Sequence, residues 1–136
     1  LKTDNIKGIV SYEPGGLFPF PQGKRPEETK TKMRMAEATE VSMSQFMVYT
    51  KLPIVMYYGD NIPTTPGNNP HQNDWLFRLS LAREWAAMVN NYGGNVKVVH
   101  LPEIGIYGNT HFPFSDMNNL QIADLLSAFL KTNKLE

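Results

Sequence analysis

Apolar residues in this chain gather in three short runs, and segments of helical periodicity follow the second and third. Ile6-Lys7-Gly8-Ile9-Val10-Ser11-Tyr12 is rich in β-branched and aromatic residues and stops at Glu13-Pro14-Gly15-Gly16. That predicts a strand and then a turn. Lys51-Leu52-Pro53 leads into Ile54-Val55-Met56-Tyr57-Tyr58, ended by Gly59-Asp60-Asn61. A run that is apolar at every position suits a parallel strand covered on both faces. Val96-Lys97-Val98-Val99-His100-Leu101 is the third run. A loop rich in Pro, Gly, Asn and Thr covers Ile62 to Asn73, and a helix is expected from Trp75 to Asn91. Asp74 is its expected N-cap and Gly93-Gly94 its stop. Leu81, Trp85, Met88 and Val89 fall on one face of that helix, with Leu76 and Phe77 nearby. A loop from Pro102 to Asp116 precedes a last helix over about Asn118–Thr132, with Ser115 or Asp116 as cap. Leu120, Ala123, Leu126 and Leu130, with Ile122, Leu125 and Phe129, form its broad apolar stripe.

The first two runs are separated by a segment of different character. Prolines at 19, 21 and 26 argue against regular structure around Leu17-Phe18-Pro19-Phe20-Pro21. Residues 24–40 hold nine charged side chains, so this part is expected at the surface. A short helix is predicted from about Glu37 to Tyr49, with Met43, Phe46 and Met47 toward the core. The segment at about 14–40 reads as an insertion, cap-like in position, within one domain spanning 1–136.

Strands alternating with helices imply an α/β fold, with parallel strands, flanking helices and right-handed crossovers. Three parallel strands leave an edge open, and such an edge expects a partner. The chain enters its first strand almost at once after Leu1-Lys2-Thr3-Asp4-Asn5, which has no signal-peptide pattern. A piece cut from a longer protein would begin this way.

Composition narrows the classes of function. The 136 residues are 41% hydrophobic and 19% charged, which is a globular composition. A formal net charge of zero and no basic cluster leave nothing to attract nucleic acid. No apolar run approaches the ~20 residues of a membrane span. With no cysteine, disulfides, thiolate metal sites and a cysteine nucleophile are excluded. The three histidines lack His-x-x-x-His spacing and no glycine-rich phosphate loop occurs, so neither a metal nor a cofactor is expected. The missing phosphate loop also weighs against a flavodoxin-like nucleotide binder.

Ligands of open α/β sheets gather beyond the carboxyl ends of the strands. Glu13, Asp60 and His111 fall there. An acid followed later by a histidine fits the α/β-hydrolase chain order of serine, acid, histidine. His111, in Gly108-Asn109-Thr110-His111-Phe112-Pro113-Phe114, is the candidate general base. His100 lies within a strand and reads as structural, and His71 as solvent-exposed. Many hydrolases carry Gly-Asp-x-Asp after the strand that ends here at Tyr58, but the place of the second aspartate is Ile62. Glu13 is therefore the expected acid, held by the Pro-Gly-Gly turn, and Asp60 the runner-up. Either would fix the histidine tautomer and stabilise the imidazolium. None of Ser11, Ser42, Ser44, Ser80, Ser115 and Ser127 lies in Gly-x-Ser-x-Gly. The chain therefore reads as the C-terminal half of an α/β-hydrolase fold, with its last three strands and helices and without the nucleophile. A binding or scaffold module that kept the fold is the alternative.

Three stretches carry a closer likeness. Tyr12-Glu13-Pro14-Gly15-Gly16, Pro53-Ile54-Val55-Met56-Tyr57-Tyr58-Gly59-Asp60-Asn61, and the run from His100 through Leu101-Pro102-Glu103-Ile104-Gly105 to Asn109-Thr110-His111-Phe112-Pro113-Phe114-Ser115-Asp116 resemble a bacterial α/β-hydrolase family of serine esterases typified by esterase 713. The resemblance implies a serine–glutamate–histidine triad with Glu13 as the glutamate and His111 as the histidine. The serine would precede Glu13, off the start of this chain. It implies hydrolysis of a small-molecule ester through an acyl-enzyme, and a periplasmic or secreted location. Phe18, Phe20 and Phe112 become expected walls of the acyl pocket. The expected macromolecular partner is the missing N-terminal half, in the same or a separate chain. The sequence leaves a homo-oligomer open.

Overall fold

A computed structural model of the chain describes residues 5–31, 34 and 37–135. Residues 1–4, on which the reading of the chain's start rests, and 32–33, 35–36 and 136 lie outside it. In chain order the described elements are strands β1 (Ile9–Tyr12), β2 (Phe18–Pro21) and β3 (Ala38–Val41), helix α1 (Met43–Phe46), strand β4 (Pro53–Tyr58), helix α2 (Pro70–Asn91), strand β5 (Asn95–His100) and helix α3 (Asn119–Thr132).

Strands β1, β4 and β5 form a parallel sheet in the order β1-β4-β5. Tyr12 pairs with Tyr57 and Tyr58 with His100, so the three strands end at nearly one level. Central β4 is buried on both faces because its side chains alternate between two cores. Ile54, Met56 and Tyr58 pack with Leu79, Ala82, Trp85 and Val89 of α2. Val55 and Tyr57 pack with Leu101 and with Ile122 and Phe129 of α3. The result is a mixed α/β fold, with parallel strands between flanking helices. Among the described residues no helix is long and apolar enough to cross a membrane.

The segment between β1 and β4 is more regular than its prolines imply. Strands β2 and β3 form a second, two-stranded parallel sheet, with Phe18 opposite Ala38 and Pro21 opposite Val41. The Phe18 N–H donates to the Glu37 carbonyl and the Gln22 N–H to that of Val41. The prolines stand at the alternate positions 19 and 21, whose backbone nitrogens face away from β3, so the missing N–H costs no ladder bond. The expected helix over 37–49 shrinks accordingly. Its first residues are taken up by β3, and α1 starts only after Ser42. There Ser42 and Gln45 cap each other's backbone N–H groups in a capping box. Phe46 is buried, but Met43 is 44% exposed.

Two expected caps also differ. Helix α2 starts five residues early, because Asn69 Oδ1 accepts the His71 and Gln72 N–H groups and Pro70 occupies the first turn. Asp74 instead receives Arg34 at 2.7 Å. Helix α3 has no side-chain cap. The Ser115 hydroxyl donates to the Phe112 carbonyl, and Asp116 turns back into its own loop. The apolar stripe of α3 is only partly covered: Ile122 and Phe129 are buried, whereas Leu120 is 78% exposed.

Candidate active site

Glu13 is the first residue after β1 and adopts φ 45°, in the left-handed region that a non-glycine residue seldom enters. Its N–H still donates to the Tyr57 carbonyl at 2.8 Å, extending the parallel pairing by one residue. The turn sends its buried carboxylate across the end of β4, where Oε1 accepts the Gly59 N–H at 2.6 Å. A Cβ on Gly59 would lie 2.8 Å from Glu13 Oε1 and 2.8 Å from each of the Asn109 and Thr110 carbonyl oxygens. Glycine at 59 is therefore what lets the acid and the histidine loop meet. Tyr58 donates its hydroxyl to the Pro14 carbonyl at 2.9 Å and ties down the turn. Burial, with Glu13 adding to it and Arg78 opposing, raises the Tyr58 phenol far above its ordinary range, so it remains a neutral donor.

The loop bearing His111 is held by two acids. Asp60 Oδ2 accepts the Gly108 N–H at 2.7 Å and Oδ1 the Asn109 N–H at 2.8 Å. Asp116 accepts the Thr110 N–H at 2.7 Å and its hydroxyl at 2.9 Å. Desolvation pushes the Asp116 carboxyl upward, but hydrogen bonds from the Thr110 backbone and side chain and from Asn109 outweigh it and hold its pKa below the usual carboxylate value. Buried Asn109 pairs reciprocally with the Asn118 side-chain amide, at 2.8 and 2.9 Å.

From this loop His111 Nδ1 meets Glu13 Oε2 at 2.8 Å. An ionised carboxylate only accepts, so against it Nδ1 is the donating nitrogen. The His111 side chain is 46% exposed and the Glu13 side chain 4%: a buried acid behind an accessible imidazole. Trp75 and Phe112 flank the imidazole with ring centroids at 4.5 and 5.1 Å.

The other candidates are placed as follows. Asp60 spends its two oxygens on the Gly108 and Asn109 amides, while the carboxylate bonded to His111 Nδ1 is that of Glu13. Phe18 and Phe20 are 4% and 0% exposed and pack in the core around Trp85 and Phe46, where Phe18 also lines a small cavity with Leu17, Tyr49 and Trp85. Phe112 is 56% exposed beside His111. His71 is exposed in the first turn of α2. His100 is buried at the end of β5, with Nδ1 3.8 Å from Glu103. Among the described residues no cluster of three potential metal ligands occurs. Ser42 stands between a strand and a helix, as a nucleophile would. Its φ −61°, ψ 155° are ordinary extended backbone, however, and its hydroxyl is engaged by the Gln45 N–H in the capping box. Trp75 escaped the sequence reading, because nothing in a helical stripe marks which member faces a loop nearly forty residues away.

No protein-family model matches the chain, and no curated protein matches it. Among solved structures it is similar to one described as the atomic-resolution structure of a novel bacterial esterase. The identity is 28% and the TM-score 0.63 over 94% of this chain. The chain spans 31% of that esterase's length. Fold and likeness together define the class: a partial α/β-hydrolase-like fold, related in structure to a bacterial esterase.

Proposed function

We propose that these residues form the C-terminal, acid- and histidine-bearing part of a serine hydrolase that cleaves carboxylic esters. The observation that carries this reading is the 2.8 Å contact between His111 Nδ1 and the buried Glu13 carboxylate, made across 98 positions of sequence. In the reaction His111 Nε2 takes the proton of a serine hydroxyl as its oxygen attacks the ester carbonyl. The imidazolium, stabilised by Glu13, passes that proton to the departing alcohol and leaves an acyl-serine. Water then attacks the acyl-serine with His111 again as base, releasing the acid and restoring the serine.

The serine and the oxyanion-hole amides come, in this proposal, from a segment outside these residues, in the same polypeptide or a separate one. Two features favour a neighbour along β1. The Ile-Val-Ser-Tyr strand is an edge without a charged residue, whereas β5 at the opposite edge carries Lys97. The exposed residues Leu120 and Ala123 of α3, with half-buried Leu126, line an apolar groove with Tyr12 and Phe114 beside that same edge. The segment at about 14–40 acts as a cap over the acyl site, and Phe112 is the aromatic residue placed to touch an acyl chain.

A non-catalytic binding module is favoured by one observation, the lack of an available serine in the chain. Fluorophosphonate labelling of the longest natural polypeptide carrying these residues separates the two readings. The expected result is one labelled serine N-terminal to Glu13, with labelling lost in His111→Ala. A folded polypeptide that takes no label would establish the binding module.

A further inference from the structure

A single hydrogen bond sets the distance between His111 and Glu13 but leaves the imidazole free to tilt about it. Burial does not remove that freedom, since the side chain is nearly half exposed. The two flanking rings differ in how firmly they are held. Phe112 is the next residue on the same loop and is itself exposed. Trp75 stands on α2, a helix of 22 residues, and is braced from two further directions. The Arg78 guanidinium lies over its ring, 4.7 Å from the centroid. The turn after Glu13 passes beside it, so that a Cβ on Gly15 would come 3.7 Å from its Cη2.

Arg78 is fixed in turn. Its Nε lies 3.4 Å from Glu37 Oε1, and Glu37 is also held by Arg34, which reaches Asp74 at 2.7 Å. Glu37 immediately precedes β3, so this ion-pair lattice joins the segment between β1 and β4 to the helix that carries Trp75.

We propose that Trp75 is the positioning residue of His111: an indole wall, anchored through Arg78 to the Arg34–Glu37 pair, that holds the imidazole in the one orientation in which Nδ1 faces Glu13 and Nε2 faces outward. Its importance for catalysis rests on the serine-hydrolase reading, but the contact itself does not. An imidazolium formed during turnover would also meet the indole π-system, an attractive pairing for a cation.

The test is side-chain NMR of the ¹⁵N-labelled longest natural polypeptide that carries these residues. In the unaltered protein the His111 Hδ1 proton is expected downfield and slow to exchange, with cross-relaxation between the Trp75 indole and the His111 ring protons. Trp75→Leu should speed Hδ1 exchange about tenfold, the size of one aromatic pair contact, with backbone amide shifts of β4 and β5 unchanged. Trp75→Phe, which restores a ring, should recover most of the protection. Unchanged Hδ1 exchange in folded Trp75→Leu would overturn the proposal. If that variant does not fold, the lack of indole–imidazole cross-relaxation in the unaltered protein would overturn it instead. A failed serine labelling leaves the indole–imidazole cross-relaxation in place, and absence of that cross-relaxation leaves the Glu13–His111 hydrogen bond intact, so the two readings fail separately.

Discussion

Glu13 carries the largest local cost in the site. A left-handed backbone at a non-glycine residue costs roughly 1–2 kcal/mol, and here it aims a carboxylate at two partners on different elements, the Gly59 N–H and His111 Nδ1. Glutamine at this position keeps the shape but presents an amide N–H₂ or a neutral oxygen to the imidazole. In the serine-bearing polypeptide Glu13→Gln should lower kcat by about 10³–10⁴-fold with a small change in KM, as loss of a triad acid does; steady-state ester hydrolysis measures it. Gly59 has the complementary role. In Gly59→Ala the new methyl meets two backbone carbonyls and the Glu13 carboxylate, and the carbonyls cannot swing aside as a flexible side chain would. A loss of about 1–3 kcal/mol is expected, read from the denaturant midpoint. An unchanged midpoint would mean that the histidine loop is not held where it lies.

The loop after β5 is ordered by carboxylates more than by its own packing. Asp60 uses both oxygens on successive amides, which asparagine, with one accepting oxygen, cannot do. Asp60→Asn should make the Gly108 and Asn109 amides exchange roughly tenfold faster, from the loss of one charge-assisted bond of about 1.5 kcal/mol, while α2 amides keep their protection. Asp116 adds a pH dependence. Its pKa in the folded chain lies below the ordinary carboxylate value, so the unfolded chain takes up that proton first as pH falls. The clamp's contribution is present in full at neutral pH and is lost as pH falls through the depressed pKa. Asp116→Asn should therefore be less stable than the unaltered chain near neutrality, and the two curves should draw together in acid. A constant gap between pH 7 and pH 2 would contradict this. For the segment between β1 and β4, Trp85 Nε1 donates to the Pro19 carbonyl at 2.8 Å and pins β2 to α2. Because that bond uses a proline carbonyl, the strand keeps both its prolines and a fixed place on the core.

As a whole, the chain buries its larger apolar cluster on the α2 side and leaves apolar side chains of α3 exposed, Leu120 at 78%. Under the proposed function this surface receives the segment that brings the serine. The chain alone should then turn over no ester above the buffer blank, and should gain activity and fluorophosphonate labelling together when that segment is supplied. Hydrolysis by these residues alone would require a nucleophile among serines that the fold has placed in strands, helices and caps.

Sequence order was enough for what depends on near neighbours. The continuous apolar run at 54–58 suited a strand covered on both faces, the periodicity of 75–91 a helix, and the ends of the strands marked Glu13, Asp60 and His111 as the residues to compare. Sequence order also preferred Glu13 to Asp60 as the acid, because Ile62 fills the place of the usual second aspartate. Asp60 and Glu13 both follow strands, and whether one clamps a loop and the other faces the imidazole depends on the parallel register of β1, β4 and β5. That register brings Gly59 beside Glu13 and lets the 108–111 loop fold over both. Likewise Trp75 was one apolar residue at the start of a helix until its neighbours in space were known. Apolar periodicity acts within a few residues and so is written locally. The meeting of side chains 98 positions apart is set by strand pairing and helix packing, which the folded chain alone specifies.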